Sequence, residues 1–156
     1  MSKVLVYEKS FLGVGLILLL FCLIALVYAS LAMGIQLPGK EGLVDPEHIT
    51  TTPPFDEPGL RQIGANAYEA VVLGYAWGFT PDEIRIPAGS TVTFTATTRD
   101  VIHGFHIEKT RVNMMLVPGQ ITRATHTFEE PGEYLIICHE YCGLAHHAMY
   151  ARLIVE

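Results

Sequence analysis

From Phe11 to Leu37 this chain carries no charged side chain, and Phe11 to Ile35 is almost wholly apolar. At 1.5 Å per residue a helix over that run spans a hydrocarbon core of roughly 30 Å. A helix buried in a soluble domain would keep a polar face, and this one has none. Gly13 and Gly15 near its start are tolerated in membrane helices, where small residues let a partner helix come close. A cleaved signal peptide is the rival reading, because Ser30-Leu31-Ala32 has the spacing of a cleavage site. The run is far longer than the roughly 7–15 apolar residues of a signal, which favours an uncleaved anchor. Cys22 follows bulky Phe21, unlike a lipoprotein cysteine, and reads as a lipid-facing or helix-packing thiol.

Lys3 and Lys9 precede the run, and only Lys40 follows it closely, beside Glu41 and Asp45. The positive-inside rule therefore puts the N-terminus in the cytoplasm. The rest of a single-pass chain then lies on the outer, periplasmic face of the plasma (inner) membrane. Beyond the run, eight Lys and Arg stand against fifteen Asp and Glu. That acidity argues against a nucleic-acid partner and fits a basic or neutral protein.

The chain divides into an N-terminal segment with the membrane helix (1–35), a linker (36–66) and a domain (67–156). The linker carries Pro38, Gly39, Gly42, Pro46, Pro53, Pro54, Pro58 and Gly59, a composition that supports no long helix. Its last part, 58–66, packs either on the domain or on a partner. From Ala67 the pattern turns to short β-like runs: Tyr68–Ala76, Glu83–Ile86, Thr91–Thr97, Phe105–Glu108, Val112–Leu116, Thr122–Phe128, Gly132–Cys138 and Met149–Val155. Pro87-Ala88-Gly89, Pro118-Gly119 and Glu130-Pro131-Gly132 punctuate them. Strands of this length and spacing predict an all-β sandwich with Greek-key connections.

Between the last two strands lies Cys138-His139-Glu140-Tyr141-Cys142-Gly143-Leu144-Ala145-His146-His147-Ala148-Met149, a C-x-E-x-C-G-x-x-H-x-x-M pattern. Two thiols, an imidazole and a thioether on one short loop are the soft donors that copper takes in electron-transfer sites. His103, in Asp100-Val101-Ile102-His103-Gly104-Phe105, can close the coordination sphere. One cysteine suffices for a mononuclear centre, and two can bridge a pair of coppers. A disulfide and a zinc site are the bland alternatives. Met149 is a poor zinc ligand, however, and no second cysteine pair accompanies the loop. A catalytic thiol would need a base and an orienting partner that the neighbourhood does not offer.

The Pro131-Gly132-Glu133-Tyr134-Leu135-Ile136-Ile137-Cys138 approach, the metal loop, the Asp100–Phe105 stretch and the Pro118-Gly119 turn together resemble subunit II of haem–copper cytochrome c oxidase. The resemblance covers roughly residues 70–156 and implies a cupredoxin-like sandwich preceded by one transmembrane α-helix. The common form of that subunit has two membrane helices, so this chain resembles the single-helix, B-type variant. By that resemblance a binuclear CuA centre would use Cys138 and Cys142 as bridging thiolates. His103 and Met149 would complete one copper, and His146 with the Glu140 backbone carbonyl the other. The partners implied are the oxidase's catalytic subunit I, cytochrome c or another soluble electron donor, and membrane lipid. Rival readings are the CuA subunit of a nitric-oxide reductase, a free-standing membrane-anchored copper carrier, and a copper-delivery protein.

Other residues have weaker claims. Trp77, the only tryptophan, is an electron-entry candidate or a shield for the metal, and core packing accounts for it equally well. In many two-helix relatives the side chain at the Glu140 position helps hold Mg(II), although one carboxylate is not a Mg(II) site. His106, His126, His139 and His147 fit no slot in the motif, and Met114 and Met115 read as apolar fillers.

Overall fold

The computed structural model describes residues 3–33 and 41–156. The chain falls into two compact units, residues 1–35 and 36–156. The described residues of the first form one helix, α1 (Lys3–Met33), whose apolar stretch Val4–Ala32 is long enough to cross a membrane. It begins eight residues before the charge-free run, because Glu8 and Lys9 are adequate helix formers and can sit at headgroup level. Residues 34–35, expected to end the span, lie outside the described residues.

The second unit is a two-sheet sandwich. One sheet holds β1 (Gly59–Gln62), β2 (Ala67–Tyr75), β5 (Ser90–Thr98) and β8 (Thr122–Phe128) in that order, with β3 (Gly78–Thr80) paired to β2. The other runs β4 (Glu83–Ile86), β10 (Tyr150–Val155), β9 (Gly132–Ile137), β6 (His103–Ile107) and β7 (Asn113–Leu116). β2 and β5 are parallel, as are β10 and β4, and every other pair is antiparallel. The chain crosses between the sheets at β3–β4, β4–β5, β5–β6, β7–β8 and β8–β9, as the Greek-key reading expects.

The core follows from strand periodicity. Along β5, Val92, Phe94 and Ala96 turn inward with no exposure, while outward Thr91 and Thr93 hydrogen-bond Thr127 and Thr125 of β8 at 2.9 and 3.0 Å. Phe105 of β6 sits edge-on to Phe79, with ring centroids 5.5 Å apart, and tilts against Phe94 at 5.7 Å. These rings join the two sheets beneath the site.

β2 does not alternate, and its surroundings show why. Ala70 and Val72 face the sandwich, whereas Val71 and Leu73 face outward into a second small cluster with Val44, Ile49 and Phe55. A strand buried on both faces reads as a continuous apolar run. The covering segment comes from the stretch expected to be a linker. Asp45 caps a short 3-10 turn over Pro46–Thr51, accepting from the Glu47 N–H at 3.0 Å. The Val44 N–H donates to Gly119 O at 3.0 Å, which ties the segment to the Pro118-Gly119 turn. Gly119 has φ +81°, a conformation that favours glycine at this position of a tight turn. Of the two placements open for 58–66, the structure gives packing on the domain, since β1 pairs with β2 through Gly59–Gln62. β1 and β3 are the two strands the pattern did not reveal.

Candidate metal centre

The Cys138–Met149 loop hangs between antiparallel neighbours. β9 ends at Ile137, opposite Tyr150 of β10, and the Cys138 N–H donates to Met149 O at 3.2 Å. Inside the loop the N–H groups of His146, Ala148 and Met149 donate to the carbonyls of Gly143, Ala145 and His146. The loop is thus braced by its own backbone and clamped at both ends. β6 pairs with β9 through His106↔Ile137 and Ile107↔Ile136, which brings His103 alongside Cys138.

The donor atoms form one chain of contacts. His103 Nδ1 lies 3.9 Å from Cys138 Sγ, and Cys138 Sγ lies 3.2 Å from Glu140 O and 3.8 Å from Cys142 Sγ. Cys142 Sγ in turn lies 3.5 Å from His146 Nδ1 and 3.6 Å from Met149 Sδ. The structure brings together all six residues expected from the sequence. Both cysteines are free thiols. His103 is fully buried, Cys138, Cys142 and Met149 are nearly so, and His146 is half-buried. Among the described residues, His103, Cys138 and Cys142 form the one cluster of three or more His, Cys, Asp or Glu donors able to share an ion. The Glu140 carboxylate is not part of it.

Three sulfurs, two imidazole nitrogens and a carbonyl oxygen at a largely buried site fit copper better than zinc or magnesium. Burial, followed by the neighbouring Cys138 thiol, pushes the Cys142 thiol up to about 11. Cys142 therefore keeps its proton at neutral pH, and a metal held there would have to displace it.

Trp77 stands beside the loop. Its indole N–H donates to Cys142 O at 3.0 Å, while 41% of the residue remains exposed. Core packing is therefore not its role. Gly143 turns the loop under the ring with φ +117°, and a Cβ there would stand 3.1 Å from Trp77 Nε1. Tyr141, Leu144, Val101 and Ile102 are also exposed, so the rim of the site is apolar.

Three of the other histidines have ordinary partners, and His147 is exposed. The His106 Nδ1–H donates to Val112 O at 3.0 Å, and His126 packs edge-on to Phe128. The His139 ring lies on Gly104, where a Cβ would come within 2.7 Å of it. Met114 is core and Met115 is half-buried.

Asp100 has a part that the sequence reading did not assign. His103 donates through Nε2–H to Asp100 Oδ1 at 2.9 Å. Burial pushes this carboxyl up, but hydrogen bonds from His103, from the Ala76 and Val101 N–H groups and from the Thr98 hydroxyl outweigh it and hold it below the usual carboxylate range. The D-x-x-H spacing was the available signal, since a buried ligand histidine ordinarily hands its far nitrogen to a carboxylate or carbonyl.

The sequence model for the periplasmic domain of cytochrome c oxidase subunit II matches residues 78–156. Cytochrome c oxidase subunit 2 of Thermus thermophilus is 40% identical over 99% of this chain and 95% of its own length. A chain from the cryo-EM structure of a haem–copper terminal oxidase dimer superposes with a TM-score of 0.73 at 37% identity, covering 96% of this chain and 99% of that one. The periplasmic domain of subunit II from Bradyrhizobium japonicum shares the fold at 19% identity, with a TM-score of 0.53 over 56% of this chain and 83% of its own. With the sandwich, the copper-type donor set and a match along nearly its whole length, this chain belongs to the cytochrome c oxidase subunit II family.

Proposed function

We propose that this chain is the electron-entry subunit of a haem–copper terminal oxidase. It takes electrons from a soluble donor, cytochrome c or a similar protein, and delivers them to haem in the catalytic subunit I. That subunit reduces oxygen to water and pumps protons. The observation that carries the reading is the contiguous set of donors His103, Cys138, Glu140 O, Cys142, His146 and Met149.

Cys138 and Cys142 would bridge two coppers as a CuA centre, with His103 and Met149 completing one ion and His146 and Glu140 O the other. Bound there, the pair would supply a one-electron couple. The protein's contribution is to hold the donors still. The loop's own hydrogen bonds and the flanking strands fix the four loop side chains, and β6 fixes His103, so little geometry changes between redox states. Burial of the thiols excludes water and lowers the local dielectric. With two shared thiolates and two further donors each, neither copper would keep an open position for substrate, so the chain itself would perform electron transfer only.

Trp77 is the electron-entry candidate, because its ring reaches solvent while its N–H holds the Cys142 carbonyl. Apolar residues around it and an acidic chain favour docking through an apolar patch with mild electrostatic steering. Stopped-flow reduction of the copper-loaded full chain in detergent tests this. Reduction by a suitable soluble cytochrome should be fast and fall only modestly with salt. Trp77→Ala should slow it without changing copper content. No fast reduction by any of a panel of cytochromes would count against the role.

Helix α1 would anchor the chain in the plasma (inner) membrane, with its N-terminus cytoplasmic and the copper domain periplasmic. After high-salt and alkaline washing of native membranes, the mature chain should remain in the bilayer with residues 1–35 intact. N-terminal sequencing that begins at Met33 would show a cleaved signal instead.

A further inference from the structure

Three segments meet at the site that are distant along the chain: the β2–β3 turn at Ala76-Trp77, the β5–β6 loop at Asp100, and the metal loop at Cys142. Asp100 reaches both His103 and the β2–β3 turn. Its Oδ1 accepts from His103 Nε2–H at 2.9 Å and from the Thr98 hydroxyl at 3.1 Å. Its Oδ2 accepts from the Ala76 backbone N–H at 2.7 Å. The next residue, Trp77, donates to Cys142 O at 3.0 Å. An ionised carboxylate only accepts, so His103 must carry its proton on Nε2, which leaves the Nδ1 lone pair facing Cys138 Sγ at 3.9 Å. The His103 ring is fully buried while the Asp100 side chain keeps 32% exposure, so the donor is shielded from water and only the acceptor is solvated.

We propose that Asp100 is a two-ended positioning residue: one oxygen fixes the tautomer and orientation of the metal-facing His103, and the other fixes the turn that presents Trp77. A single carboxylate then holds the buried imidazole and the exposed indole in register across the metal loop. The part concerning His103 rests on the copper reading above, while the part concerning Trp77 does not.

The bland alternative is that Asp100 only shapes its own loop, since its Oδ1 also takes the Val101 N–H at 2.7 Å. Asparagine separates the two ideas. It preserves a local loop turn well, but it has one acceptor oxygen where Asp100 uses two. Its NH2 group must face either the Ala76 N–H or the His103 Nε2–H, donor against donor.

The test uses the full chain in detergent, and two of its readouts need no metal. In the metal-free wild type, 15N-histidine NMR should find a His103 proton on Nε2, slow to exchange, and none on Nδ1. A proton on Nδ1 would overturn the proposal directly, with no variant involved. Trp77 is the only tryptophan, so fluorescence anisotropy reports its turn alone. Asp100→Ala should lower the anisotropy and release the His103 tautomer together, and Asp100→Asn should lose at least one of the two. In the copper-loaded chain both variants should bind copper about 10–100-fold more weakly. Their midpoint potential should rise, because an imidazole without its carboxylate is a poorer donor to the oxidised metal. Asp100→Asn indistinguishable from wild type in tautomer, anisotropy and potential would leave Asp100 a loop former and sink the proposal. A wild type that binds no copper would instead defeat the functional reading, leaving the metal-free results to stand or fall separately.

Discussion

Cys142→Ser should reduce the copper content from two ions to one or none per chain and abolish any signal from an electron shared between them. Cys142 is the hub of the contact chain: its sulfur lies within 3.8 Å of Cys138 Sγ, His146 Nδ1 and Met149 Sδ alike. A hydroxyl is a hard, weakly acidic donor that cannot bridge two coppers as a thiolate does. Removing an outer hydrogen-bond partner of a metal ligand already costs about 10–100-fold, so reduction by a soluble donor should fall by more than that. The chain should still fold, because one buried hydroxyl left without a partner costs about 1–3 kcal/mol. The checks are metal analysis, visible and EPR spectra, and a thermal melt of the same sample. A variant that keeps two coppers and wild-type spectra would remove Cys142 from the site.

The second large effect is on stability. Phe105→Ala should destabilise the sandwich by about 3–5 kcal/mol, the range for deleting a fully buried aromatic side chain. Phe105 has no exposure and contacts Phe79 and Phe94 across the sheets, so the cavity has rigid walls on both sides. Against a typical domain stability of about 5–15 kcal/mol this is a large fraction. The melting temperature of the detergent-solubilised chain should drop by more than about 10 °C. Phe105 also lies two residues after His103 on β6, so copper retention on heating should suffer in step. A drop of only a degree or two would mean that this ring is not the centre of the core.

The metal site was the most legible part of the chain because it is local. Cys138, Glu140, Cys142, His146 and Met149 sit within twelve consecutive residues, and a loop held between paired strands has little choice but to gather them. His103 had to be reached by motif, and β6–β9 pairing supplies the physical link. Asp100's grip on Ala76 is different, since it joins residues 24 apart through a backbone N–H that no composition reveals.

Strands with clear alternation, such as β5 and β8, stood out within a residue or two of their true ends. β3 has three residues, too few to carry a period, and β1 offers one aliphatic side chain, Leu60, beside Arg61 and Gln62. The covering segment was hidden for a related reason. Val44, Ile49 and Phe55 are scattered among prolines and acids, and they become a core only once Val71 and Leu73 are found facing them. An apolar run in β2 that fails to alternate was the one hint that something must cover its outer face.

Copper stoichiometry and electron sharing in the full, detergent-solubilised wild-type chain test the account most directly. Metal analysis should give two coppers per chain, and the oxidised sample should be purple, with an EPR hyperfine pattern from one electron shared equally by two copper nuclei. One copper per chain, with the simple pattern of a single localised Cu(II), would contradict it.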